Sequence, residues 1–328
     1  MTNIKKIGLS ALAGSLVAVS ANAGELSVNG GVELTYTDTG GNTGNEVTGN
    51  SYGANSSVTM SGSGDVGFGT VSMTRTLNDT NSGWGSSFQT LDMGDMGVFS
   101  FDSSAGALVG VTANDDLLPT AYEEASTGVS SKGVVGGGST NVIGYRNTFG
   151  MFSISAGYTQ NGTQTAESAS SGQASHGSNE DIYVSVSPID GLTIGAGHAS
   201  LGGADTSTTS EATQEAVMNI VYSMGPVSVG YREFESNKGT AGTASRSGDH
   251  MAIAFNVNDN FKVSYGTQDT EVEAISATAA VTEEVSGISA AYTSGAMSVR
   301  MNHSKSDNDN GVQGTDDETT ELSLVLSF

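Results

Sequence analysis

The sequence predicts an all-β chain: a transmembrane antiparallel β-barrel of about sixteen strands, with its third long loop folded inward. Three observations predict it. Apolar side chains recur with a period of two through many segments of about ten residues. The connectors between those segments are alternately short and long. The chain closes on Glu318–Phe328, ETTELSLVLSF, where Leu322, Leu324, Leu326 and Phe328 alternate with smaller and more polar residues. A period of two puts one set of side chains on each face of a strand. In water, a strand with one greasy face and a free edge invites aggregation. In a bilayer, the same strand is stable once both edges are paired and its greasy face meets lipid.

The elements follow in order. Residues 1–23 read as a secretory signal peptide: Lys5 and Lys6, a short apolar run over Ile7–Val19, and Ala21-Asn22-Ala23 as the cleavage site. Residues 24–328 then form one barrel domain. Segment 25–37 (ELSVNGGVELTYT) puts Leu26, Val28, Val32, Leu34 and Tyr36 on one parity. Segments 53–62 and 65–76 are expected to turn at Ser63-Gly64, and 86–93 and 96–102 around Gly94-Asp95. Five further hairpins are expected at 140–160, 180–201, 212–236, 247–269 and 281–305, and 317–328 is the closing strand. Between them lie polar connectors rich in Ser, Thr, Gly, Asn, Asp and Glu. An even strand number, with short turns at one end and long loops at the other, is the layout of outer-membrane barrels. The outward parity is apolar (Ile143 and Tyr145; Met251, Ile253 and Phe255; Phe261, Val263 and Tyr265), and its partners are small and polar. A water-soluble barrel has its apolar side chains inside.

Composition narrows the function. The formal net charge is −24, with 35 acidic against 11 basic residues. Such a surface repels nucleic acid and attracts cations. With 46 Gly, 3 Pro and no Cys, the chain suits many strands and tight turns and has no disulfide framework. The few basic residues are informative. Arg146, Arg232, Lys262 and Arg300 all have inward parity, as expected when a charge on the lipid face costs roughly 2–4 kcal/mol. Arg75 has outward parity and is expected at the rim. The long insertion 103–139 carries Asp115, Asp116, Glu123 and Glu124. An acidic loop facing arginines would set a field across the narrowest section and sort solutes by charge.

Other motifs carry less. Ser306–Gly311 (SDNDNG) resembles part of a calcium loop but lacks the full ligand spacing and its flanking helices. His176, His198, His250 and His303 show no metal-ligand spacing, so no metal site or resident cofactor is expected, only loose binding of Ca²⁺ or Mg²⁺ by the acidic outer loops. Gly136–Gly138 has no phosphate-loop context. No nucleophile stands out, and the chain is not expected to be an enzyme.

The mature start GELSVNGGVELTYT, the segments VGFGTVSMTRT and GPVSVGYR, and the ending LSLVLSF resemble the general porins of Gram-negative bacteria, nearest the sixteen-stranded alphaproteobacterial type. That resemblance implies an outer-membrane homotrimer passing small hydrophilic solutes and ions by passive diffusion. It implies 103–139 as the constriction loop, outer-membrane lipid as surroundings, and terminal Phe328 as the signal read by the barrel-assembly machinery. Two alternatives remain: a secreted acidic, Gly-rich adhesin or surface-layer protein, and a substrate-specific channel on the same barrel.

Overall fold

The computed structural model describes residues 24, 26–42, 49–79, 84–104, 109–114, 117–129, 133–134, 136–138, 140–160, 178–202, 211–239, 243–274 and 279–328. The signal-peptide segment, Asp115, Asp116 and His176 lie outside them. Sixteen strands are present: β1 Leu26–Gly41, β2 Tyr52–Asp65, β3 Thr70–Asn78, β4 Trp84–Asp92, β5 Val98–Ser104, β6 Val142–Phe149, β7 Phe152–Gln160 and β8 Ser178–Ile189. The rest are β9 Leu192–Leu201, β10 Thr213–Met224, β11 Val227–Asn237, β12 Arg246–Asn258, β13 Phe261–Val272, β14 Val281–Ser294, β15 Met297–Asp307 and β16 Asp316–Ser327.

Each strand pairs antiparallel with its sequence neighbours, and β1 pairs with β16, so the sheet is a closed barrel. Closure leaves no edge, which a bilayer requires of any sheet that crosses it. The seam sets Val32 opposite Leu326, Leu34 opposite Leu324 and Tyr36 opposite Leu322. Phe328 extends the seam: its N–H donates to the Gly30 carbonyl at 2.9 Å, and its own carbonyl accepts from Gly30 N–H at 3.0 Å.

Directly opposite residues share a face, so register separates inside from outside. The outer face presents exposed apolar groups such as Val32, Ile143, Ile253 and Leu322. The inner face carries the buried polar residues, among them Asp181, Glu215, Asn219, Arg232, Gln268, Glu283 and Ser304. The core of this barrel is thus a polar contact between its inner wall and something inside it, with only a small apolar cluster around Val111, Tyr183, Val217 and Phe234.

One turn departs from expectation. β2 runs on to Asp65, and the reversal falls on Val66–Gly69 instead of Ser63-Gly64. Gly67 has φ 84°, and Val66 N–H bonds the Gly69 carbonyl at 2.9 Å. Val66 and Phe68 continue the apolar alternation through the turn, which hid it.

At the long-loop end, the outer face of β11–β16 carries Glu233, Asp249, Asp269, Glu284, Asp307 and Asp316, each directly opposite the next. Like charges in direct opposition destabilise a strand pair. Lys305 lies beside this row, 2.8 Å from Asp307.

Candidate functional site

The described residues of 103–139 lie against the inner wall from β6 round to β16. Glycines make room for them. Val109 sits over Gly144 and Gly157, which are directly opposite each other. Ala125 sits over Gly266 and Gly287, likewise opposite. The fit admits no side chain on the wall: a Cβ at Gly197 would meet Val111 at 2.7 Å, and one at Gly230 would meet Pro119 at 2.6 Å.

Wall side chains fasten the loop backbone along the same path. Ser155 accepts the Gly110 N–H at 2.7 Å. Asn219 donates to the Asn114 carbonyl at 2.6 Å. Ser264 and Ser289 accept the N–H groups of Ala121 and Tyr122 at 2.8 and 3.1 Å. Tyr122 donates its hydroxyl to Glu321 at 2.7 Å, and Thr319 donates to the Gly128 carbonyl at 3.0 Å. Burial, then the neighbouring Glu321 carboxylate, pushes the Tyr122 phenol above its ordinary pKa. On the return pass, two buried carboxylates grip the glycine run: Asp181 accepts Gly137 N–H at 2.7 Å, and Glu215 accepts Gly136 N–H at 2.9 Å. Asp181 also accepts the Thr112 hydroxyl at 3.1 Å, tying the outgoing and returning passes together. Glu215 further accepts from Ser236 at 2.9 Å and has Lys238 at 3.6 Å.

Among the described residues, none covers the opposite wall. No residue of β1, β2 or β3 is buried. Its inner face is a field of hydroxyls, with cross-strand pairs Thr59–Thr76 at 2.9 Å and Ser61–Thr74 at 3.2 Å.

The four inward basic residues occupy different surroundings. Arg232 is 3% exposed under the loop and engages the His250 ring. Arg300 stacks on the Tyr122 ring, 5.2 Å from its centroid. Lys262 shares a row with Arg300 across Ala291, near the short-turn end of β13. Arg146 is exposed on the inner face of β6. Glu123 and Glu124 border a narrow crevice between loop residues 118–126 and β12–β14. Arg75 faces outward, opposite Met60 and Ser87. Asp181, Glu215 and Glu321, the carboxylates that hold the loop, escaped the sequence reading. Their inward parity inside strands, while most acids sit in loops, was the available signal.

The calcium-like segment builds a turn. Asn308 and Asn310 adopt φ 58° and 59°, and Asn308 accepts Gly314 N–H at 2.9 Å. Glu283 accepts from Ser306 and from Asn310 N–H. Among the described residues, no three His, Asp or Glu converge to hold a metal ion.

The backbone superposes on solved outer-membrane barrels over nearly its whole length. OmpT, an outer membrane protein of Vibrio cholerae, aligns at TM-score 0.67 and 12% identity, with 92% of this chain and 97% of that one covered. OmpF of Salmonella typhi, solved with daunomycin, aligns at 0.66 and 12%, covering 93% and 98%. An anion-selective porin from Comamonas acidovorans aligns at 0.64 and 14%, covering 93% and 100%. The fold is that of the porins. At these identities the likeness is one of fold. No family model and no curated protein matches the sequence.

Proposed function

We propose that this porin-fold barrel is an outer-membrane channel passing small hydrophilic solutes and ions by diffusion. One observation carries the reading: the described residues of the loop cover the polar inner wall on one side, and the hydroxyl-lined wall of β1–β3 has no buried residue. No covalent step is involved; lumen width and wall chemistry set what passes. Export by the signal peptide, recognition of Phe328 by the assembly machinery, and residence in outer-membrane lipid belong to the same proposal.

The homotrimer is part of it. Arg75 and Gln89 face outward on β3 and β4, around the buried Ser87. A cation facing lipid costs up to roughly 2–4 kcal/mol toward mid-membrane, so this stretch of wall fits protein contact better than lipid. The acidic row on β11–β16 supports loose Ca²⁺ or Mg²⁺ binding, since oxygen ligands suit both ions.

Planar-bilayer recording tests the channel. Expected are stepwise conductances in groups of three and faster liposome swelling for small sugars than for large ones. Absence of conductance from folded, detergent-purified protein would refute the proposal, and release from envelopes by chelator or urea alone would favour the adhesin reading.

A further inference from the structure

Arg146 stands apart from the other inward arginines. Arg232 is engaged by His250 under the loop, and Arg300 lies on Tyr122. Among the described residues, no carboxylate, ring or hydrogen-bond acceptor engages the exposed Arg146 guanidinium. It opens into a recess of about 550 Å³ on the inner wall, beside the short turns. Asn114 of the loop roofs the recess, and Ser153, Ser155, Ser185 and Tyr183 line it.

The same recess holds Asp92. Asp92 is directly opposite Val98, and Val98 directly opposite Arg146. The two charged residues therefore lie on one inner row, two strands apart, with backbones about 10 Å from each other at ordinary strand spacing. They form no ion pair. Asp92 spends one carboxylate oxygen on the Gly94 N–H at 2.8 Å, which fixes the group and leaves its second oxygen to the recess. Opposite charges held in one pocket without joining are complementary to a solute that carries both.

We propose that this recess is a subsite for short zwitterionic peptides. The peptide carboxylate meets Arg146, its ammonium meets Asp92, and the serine hydroxyls and Asn114 serve the amide between. An extended dipeptide holds its terminal charges about 7 Å apart, on the scale of the spacing between the two strands. Arg146 offers the carboxylate a two-pronged donor, the geometry guanidinium groups provide best.

The inference rests on the channel reading, and one experiment separates them. Ion current through the purified full-length protein is recorded with glycylglycine, and with acetyl-glycylglycine, which keeps the carboxylate and lacks the ammonium. Glycylglycine is expected to block the current in a concentration-dependent way, and the acetylated peptide far less. Arg146→Gln and Asp92→Asn, checked for folding by heat-modifiable migration, should each raise the half-blocking concentration about tenfold, the effect of losing one charge-assisted contact. Thr74→Val, on the hydroxyl-lined wall, should leave the block as it is. Absence of block, block unchanged in both variants, or equal block by the acetylated peptide with no effect of Asp92→Asn would overturn the subsite. A protein with no conductance at all fails as a channel first. Broadening of glycylglycine NMR lines by the solubilised protein, lost in both variants, would then still decide the recess.

Discussion

Replacing Asp181 by Ala removes one carboxylate that joins three stretches of chain. Its Oδ2 accepts from Gly137 N–H at 2.7 Å and from the Thr112 hydroxyl at 3.1 Å, on a residue only 6% exposed. A hydrogen bond to a charged group contributes about 1.5–3 kcal/mol, and a buried donor left alone costs about 1–3 kcal/mol. Two such bonds give about 3 kcal/mol at the low end, or roughly a 150-fold larger population of released loop. Other fastenings, to Glu215, Ser155 and Ser264, hold the remainder, so the opening stays local to the two passes that Asp181 joins. Hydrogen exchange read by mass spectrometry measures it. Peptides over 109–114 and 133–138 should exchange about 100-fold faster in Asp181→Ala, with β12–β16 amides unchanged. Burying a carboxylate also costs solvation, and a buried charge can be a net burden. Exchange in the loop that is unchanged or slower would show that cost to prevail, and would refute the claim that Asp181 holds the loop in place.

Ile253→Arg, at the middle of the outer apolar band, should cost roughly 2–4 kcal/mol when refolding into lipid vesicles is titrated with urea. Thr74→Arg on the hydroxyl-lined inner wall should cost about 0.5 kcal/mol or less; equal costs would reverse inside and outside. Tyr122→Phe should remove the loop's one phenol, a late-ionising group, from an alkaline absorbance titration. Because the folded phenol is held protonated, its stabilisation is complete below a free tyrosine's pKa of about 10 and is lost only as pH rises through the higher folded value. Loss of the loop tether near neutral pH would contradict this. Millimolar Mg²⁺ should raise the unfolding temperature more than Na⁺ of equal ionic strength, and Asp269→Asn with Glu284→Gln should shrink the difference. Equal effects of the two salts would reduce the acidic row to simple screening.

Much of this fold is legible in the sequence because the barrel wall repeats a simple rule. Apolar groups alternate with small polar ones, and Gly94-Asp95, Asn258-Asp259 and Ser294-Gly295 mark three of the short turns. The rule blurs where apolar residues occupy a turn, as Val66 and Phe68 do. The inner site is harder to read. What fixes the loop is a set of glycines and polar side chains contributed one or two at a time by the strands from β6 to β16, and each looks ordinary in its own strand. Pairing of consecutive strands sets Gly144 beside Gly157 and Gly266 beside Gly287, and only the curved, closed wall puts both pairs on the path of one loop. Arg146, Arg232, Lys262 and Arg300 share inward parity, yet parity says nothing of what covers each one. Arg232 lies beneath the loop while Arg146 stands open, a difference set by where a distant segment comes to rest.

The seam between β1 and β16 has a consequence for how the molecule is made. Val32 and Leu326 are partners from opposite ends of the described chain. The barrel therefore cannot be completed piecemeal as strands are added. Its opening strand must keep an unsatisfied edge until the final one arrives, and so high a contact order makes closure the slow and vulnerable step of its biogenesis.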